Sequence, residues 1–380
     1  MTGFFTGPPI AWGTGAIEQL SSLSVHRASV ILDPALSAHP LVRRVVEELE
    51  KTDATVEVVP VPVPPDSVPN VDGLAERLAG PVPDWIVVVG GGRTIDAAKA
   101  ARMRVARPDV ALDRLTPMVD LPEPLPVRLA AVPTTSGSGS EATGTSDLWA
   151  ADGTPLEVSH RALTPDWALV DPAFAATLPP ALVLDGALET AAIATEAYLS
   201  AWSNPFSDAL ALDALGTVVR RLAHAVKWSD DPDARAALHH GATGAGLAAA
   251  NAQRGVAHAL ARALVRPTGL SYGRLLGIVL PAVLEYDRPA ARDRIEVIAR
   301  AVAPPDERPP VPLDLRLRRL YPTLGFPADL GAAGVPADRL AKDRATIVAH
   351  TLRSPAVLAN PRVPTPEEVG GLLDAVTRHA

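Results

Sequence analysis

Trp85-Ile-Val-Val-Val-Gly90-Gly91-Gly92-Arg93-Thr94-Ile95-Asp96-Ala-Ala-Lys99 is the stretch whose reading decides the fold. Its first five residues are apolar without alternation, as in a strand buried on both faces at the centre of a parallel sheet. Three glycines follow at once and a helical pattern opens after them. Backbone amides can therefore approach a phosphate at the positive end of a helix dipole. A glycine triplet alone also suits a tight strand-to-helix turn, so its setting carries the weight.

Working outward, Ala28-Ser-Val-Ile-Leu32, Val56-Glu-Val-Val-Pro-Val61 and Arg128-Leu-Ala-Ala-Val132 read as further strands, alternating with helix-like segments as βαβ units do. The proline-rich run from Pro60 to Pro69 reads as a crossing loop. After Leu169-Val-Asp-Pro172 the β signal fades into Ala/Leu-rich helical patterns, interrupted by Pro205, Pro232, Pro267 and Pro281. The expected organisation is an α/β Rossmann-like domain over residues 1–175 and an all-α domain over residues 176–380. A cleft between two such halves is where a small ligand is expected. No solenoid or propeller repeat is visible.

Composition narrows the function. With 47% hydrophobic residues the chain is a globular protein and not a disordered one. A net charge of −8 with no basic run speaks against nucleic acid and against a membrane surface. Absence of cysteine removes thiolate ligands, thiol nucleophiles and disulfides, and suits a reducing compartment. The start shows no basic region followed by an apolar core, so a cytoplasmic location is expected.

A second motif, Pro133-Thr134-Thr135-Ser136-Gly137-Ser138-Gly139-Ser140-Glu141, follows the strand at Arg128–Val132. Hydroxyls and glycines gathered at the carboxyl end of a parallel strand lie where open α/β sheets bind ligands. The two motifs, in this order, resemble those of the iron-containing alcohol dehydrogenases, whose patterns read Gly-Gly-Gly-Ser-x-x-Asp and Pro-Thr-Thr-x-Gly-Thr-Gly-Ser-Glu. The likeness extends to Gly13-Thr-Gly15, Pro165-Asp-Trp-Ala-Leu-Val-Asp171-Pro172, Glu196-Ala-Tyr-Leu-Ser200, Leu280-Pro281 and Asn360-Pro-Arg-Val-Pro-Thr-Pro-Glu-Glu. It implies the dehydroquinate synthase-like fold, a nicotinamide cofactor and a homodimer. It also implies that Gly91, Gly92, Arg93, Thr94, Asp96, Thr134, Thr135 and Ser138 contact the dinucleotide, and that Asp33 meets the adenosine ribose. An acid at that place favours NAD over NADP, because it accepts from a ribose hydroxyl and repels a 2′-phosphate. The plainer reading of Asp33 is a helix N-cap.

The likeness breaks at the metal. The family holds a divalent ion with one aspartate and three histidines. Aligned on Glu196-Ala-Tyr-Leu-Ser, the aspartate becomes Glu189, the first histidine Ile193 and the last Tyr272, and only His258 survives. A further family histidine, one helical turn past His258, is Arg262 here. A shifted alignment would offer Asp185, Glu189 and His258 as a rebuilt metal site, but the expectation is a metal-independent enzyme. His258 and Tyr272 then become the candidate proton acceptors, with Arg262 beside them in the catalytic set. Arg262 and Arg274 bring positive charge, which suits a carboxylate on a small-molecule or short peptide substrate.

The resemblance therefore implies an NAD(P)-dependent oxidoreductase interconverting a hydroxyl and a carbonyl. A more specific form is oxidation of a β-hydroxy acid, such as a peptide's C-terminal threonine, followed by loss of carbon dioxide. The rival readings are a metal-dependent sugar-phosphate cyclase and a non-catalytic dinucleotide-binding protein.

Overall fold

The computed structural model describes residues 5–122, 124–228 and 231–377. The chain divides into two units, Thr6–Thr177 and Leu178–Ala380, with Phe5 belonging to the second.

In the first unit, β1 (Ile10–Trp12), β2 (Arg27–Leu32), β3 (Thr55–Pro60), β4 (Trp85–Gly90), β5 (Arg128–Pro133) and β8 (Trp167–Val170) form a six-stranded sheet in the order β1-β8-β5-β4-β2-β3. Every pairing in it is parallel. All six residues of β4 are buried, as its unbroken apolar run predicts. The strand's period of two sends alternate side chains to opposite layers. Ile86 and Val88 pack with Val71 and Leu74 of α2 (Val68–Leu78) and Ile95 and Ala98 of α3 (Gly92–Ala106). Trp85, Val87 and Val89 pack with Val42, Val45 and Leu49 of α1 (Pro40–Glu50).

The four strands read from sequence are present, and four more join them. β1 is only three residues long and β8 four, too short for a periodicity to register. Outside the sheet, β6 (Thr145–Trp149) and β7 (Pro155–Ser159) make an antiparallel hairpin. Its turn is closed by Gly153 N–H to Ala150 O, with Gly153 at φ +86°, a conformation glycine takes without a Cβ penalty.

The second unit is helical: α4 (Pro180–Leu199), α5 (Pro205–Lys227), α6 (Pro232–Ala252), α7 (Val256–Thr268), α8 (Tyr272–Val302), α9 (Leu313–Leu324), α10 (Ala337–Arg353) and α11 (Pro366–Thr377). Pro205 and Pro232 open their helices, where a missing N–H costs nothing. Pro267 lies in the last turn of α7, just before Gly269 closes it. Pro281 corrects the expectation of an interruption, since α8 runs through it. The non-helical residue in α8 is Ala291, two positions after Pro289. Among the described residues no helix is long and apolar enough to cross a membrane.

Candidate active site

Two motifs meet at the carboxyl end of β4 and β5. Gly91 is the N-cap of α3, and its carbonyl accepts from Thr94 N at 3.0 Å and Ile95 N at 3.1 Å. A Cβ on Gly91 would lie 3.2 Å from the Thr135 side chain, and one on Gly92 would lie 2.7 Å from Ser138 Cβ. The second motif therefore packs so closely on the first that Gly92 has no room for a side chain and Gly91 has little. Thr134 N donates to Gly90 O at 3.0 Å, which carries the β4–β5 pairing into the loop. This leaves a helix N-terminus flanked by the hydroxyls of Thr135 and Ser138, a cradle fitted to the pyrophosphate of a dinucleotide.

Thr94 and Asp96 do not serve that cradle as expected. Thr94 is 1% exposed and fills the space that a Cβ on Gly90 would take, 2.6 Å from its own Cβ. The Asp96 carboxylate is turned inward, accepting from Ser140 Oγ and from Asp147 N at 3.1 Å, and pairs with Lys99 at 3.2 Å. Lys99, fully buried, donates to Ser140 O and Oγ and to Thr143 O and Oγ1. Burial pushes the Asp96 carboxyl up and the Lys99 ammonium down, and each charge opposes the other's shift. Both residues brace the loop from inside.

Arg93 is also committed. Its Nε and Nη2 each lie 2.6 Å from an oxygen of the buried Asp66, a two-pronged pair. Asp33 caps the short helix Pro34–Leu36 through Oδ1 and Ala35 N at 2.9 Å. It also stands at the end of β2, where its own N–H donates to Val89 O of β4, beside the glycines.

In the helical unit, His258 occupies the first turn of α7. Glu196 of α4 lies at that helix's positive end: Oε1 accepts from Ala257 N at 2.6 Å and His258 N at 3.3 Å, while Oε2 pairs with His258 Nδ1. Asn360 Oδ1 accepts from Val256 N at 3.2 Å. Gly255 is needed there, because a Cβ would meet Asn360 Oδ1 at 2.7 Å and Glu196 Oε1 at 2.9 Å. Asn360 Nδ2 donates to Asp287 Oδ1 at 2.7 Å. Burial pushes the Asp287 carboxyl up to about 7, with the Glu196 charge adding to the rise and the Asn360 hydrogen bond opposing it. Tyr272 opens α8; its hydroxyl donates to His258 O at 3.3 Å and its ring lies edge-on to the imidazole at 5.8 Å.

Arg262 is buried on α7 one helical turn past His258. Arg274 is not the open cation expected of an anion anchor, because its Nε donates to Asp185 Oδ1 at 3.1 Å. Asp185 Oδ2 accepts from Ser271 Oγ at 2.6 Å, so this carboxylate closes the start of α8 onto α4. That corrects the rebuilt metal site of Asp185, Glu189 and His258. Glu189 lies on α4 facing Gly273. Sequence reading missed the roles of Asp66, Lys99, Glu196 and Asn360; for Glu196 and Asn360 the signal was their place inside the quoted motifs.

The family description "Iron-containing alcohol dehydrogenase" matches residues 8–172, and its C-terminal counterpart matches residues 184–377. A probable alcohol dehydrogenase, EutG, of Salmonella typhimurium is 30% identical over 304 residues, 78% of this chain and 76% of its own. An NADPH-dependent butanol dehydrogenase of Clostridium saccharobutylicum is 30% identical over 305 residues, 79% of this chain and 78% of its own. The solved iron-containing alcohol dehydrogenase of Thermococcus thioreducens superposes with a TM-score of 0.89 at 28% identity, covering 99% of this chain and 100% of that one. The chain belongs to the iron-containing alcohol dehydrogenase family. Its class of activity is that of an NAD(P)-dependent alcohol dehydrogenase or reductase.

The family name implies a resident metal, and the residues at the matched positions do not fit one. Ile193 is buried on α4 and has no donor atom. Tyr272 directs its hydroxyl to a carbonyl, which leaves Glu189 and His258 as the donors of the matched set, and Asp185 of the shifted alignment is engaged by Ser271 and Arg274. Among the described residues no three His, Cys, Asp or Glu side chains are grouped to hold an ion.

Proposed function

We propose that this chain interconverts a hydroxyl and a carbonyl group with NAD, without a resident metal, and that His258 exchanges the proton. The observation that carries this reading is the buried Glu196–His258 pair, which holds the one retained histidine of a set whose other positions are Glu189, Ile193 and Tyr272. When bound, the nicotinamide supplies a hydride acceptor or donor. The rest of the chemistry falls to side chains.

Glu196 accepts the proton on Nδ1, which makes Nε2 the basic nitrogen of neutral imidazole. A base of that kind can take the carbinol proton as hydride leaves carbon, and return it in reduction. Tyr272 is the weaker candidate because its hydroxyl already donates to the His258 carbonyl. The Gly91–Gly92 turn, Thr135 and Ser138 would hold the dinucleotide. Asp33 favours the unphosphorylated ribose, although the Clostridium relative is NADPH-dependent by name.

A carboxylate-bearing substrate is the finer form of this reading, drawn from the positive charge that Arg262 brings to α7 one helical turn past His258. A β-hydroxy acid would then yield a β-keto acid that loses carbon dioxide readily. The test is NADH turnover against a panel of aldehydes and of 2- and 3-keto acids, on protein assayed for metal and with chelator present. Turnover by metal-free protein supports the reading. A stoichiometric metal whose removal abolishes turnover would sink it.

A further inference from the structure

Arg93 stands in an unfavourable place. It is the second residue of α3, at the positive end of the helix dipole, where a cation is disfavoured and an anion welcome. Its guanidinium is more than half exposed, yet both Nε and Nη2 are held at 2.6 Å by Asp66. The Asp66 carboxylate is 5% exposed, and its backbone is fixed in turn by Trp149 N donating to Asp66 O at 2.8 Å. Asp33 adds a second negative charge at the same edge of the sheet. The Arg93 guanidinium is held more basic than usual, first by the Asp66 hydrogen bonds and also by the charges of Asp66 and Asp33.

Two carboxylates and one guanidinium leave this edge with a net charge of about −1, on the side where β2 and β4 end. An extra phosphate on the adenosine ribose carries up to two negative charges and is normally met by an arginine fork. The arginine is here, but Asp66 occupies its fork.

We propose that Asp66 sets the cofactor preference of this chain by sequestering Arg93, so that the protein is an NAD enzyme carrying a latent NADP site. This rests on the cofactor reading above and names a positioning residue within it. Asp66 touches no cofactor atom in this proposal; it acts through Arg93, and releasing Arg93 would turn the edge from repelling a 2′-phosphate to attracting it.

The experiment is a fluorescence titration of the full chain with NADH and with NADPH, for the parent, Asp66→Ala, Arg93→Ser and the double variant. The quantity read is the ratio of the two dissociation constants, which a general loss of structure would not move selectively. Asp66→Ala should shift that ratio toward NADPH by roughly tenfold, the scale of one partly screened charge contact with phosphate. The shift should vanish when Arg93→Ser is added, and should shrink as salt is raised. Asp66→Asn, which keeps the shape and removes the charge, serves if the alanine variant folds poorly and should move the ratio in the same direction. An unchanged ratio in both Asp66 variants overturns the proposal. A shift that survives loss of Arg93 also overturns it, because simple removal of negative charge would then explain it. NADH binding without turnover of any alcohol or carbonyl would sink the proposed function and leave this inference standing.

Discussion

His258 and its neighbours show how one carboxylate can fix both the start of a helix and the imidazole beside it. The imidazole is 2% exposed and held by a carboxylate that also caps its own helix, so its orientation is set by the same group that sets its tautomer. His258→Gln should lower kcat by about a hundredfold or more, the usual worth of a positioned base, with NADH affinity unchanged in a binding titration. Retention of kcat in that variant would transfer the role to Tyr272. Asp287 offers a separate test through pH. Its carboxyl titrates near 7 in the folded chain, raised above the unfolded value, so its contribution to stability is full below about pH 4 and is lost as pH rises through 7. Asp287→Asn keeps an acceptor for Asn360 Nδ2 and removes the charge. The melting temperature of this variant relative to the parent should therefore rise between pH 5 and pH 8, by the equivalent of about 2 to 3 kcal/mol. A difference that stays flat across that range would mean the carboxyl does not titrate there.

At the scale of elements, the turn from β4 into α3 and the loop after β5 behave as one unit. Gly92 is in contact with Ser138, and Lys99 ties α3 to Ser140 and Thr143 from beneath. Gly92→Ala should weaken NADH binding by about tenfold or more while altering melting little, because its Cβ would push the Ser138 side chain into the phosphate cradle. Lys99→Met leaves Asp96 as an uncompensated buried charge and should cost about 3 to 5 kcal/mol of stability, read by denaturant unfolding. These elements were legible because their signals are local: an apolar run, three glycines, a cluster of hydroxyls. The hairpin of β6 and β7 was not, since neither strand alternates clearly and an Asp152-Gly153 turn alone does not specify a hairpin. Pro281 misled because helix-breaking is a local tendency that packing around α8 outweighs. What locality cannot reach is the partner far along the chain. Asp66 lies 27 residues from Arg93, and Asp185 lies 89 from Arg274, and it is these pairings that turn apparent ligand-binding charges into internal ones.

At the scale of the molecule, family membership and the proposed metal independence pull in different directions, and they can be separated by putting the family's ligands in place. The fold that places four donors in the family is retained along the whole chain, as the superposition on the Thermococcus enzyme attests. Glu196 already performs the service that a ligating histidine needs, accepting from Nδ1 and leaving Nε2 as the nitrogen to bind. If the register is right, Glu189→Asp, Ile193→His and Tyr272→His together restore an aspartate and three histidines with no change of backbone. That triple variant should acquire about one equivalent of zinc or iron. By linkage, saturation at a hundred times the dissociation constant would stabilise it by about 2.7 kcal/mol, seen as a rise in melting temperature that chelator reverses. The parent should show no such response to either metal or chelator. A parent that melts lower in chelator would place a metal ion in this chain after all, whereas a triple variant that folds but binds nothing would show that the positions were matched to the wrong residues of α4 and α8.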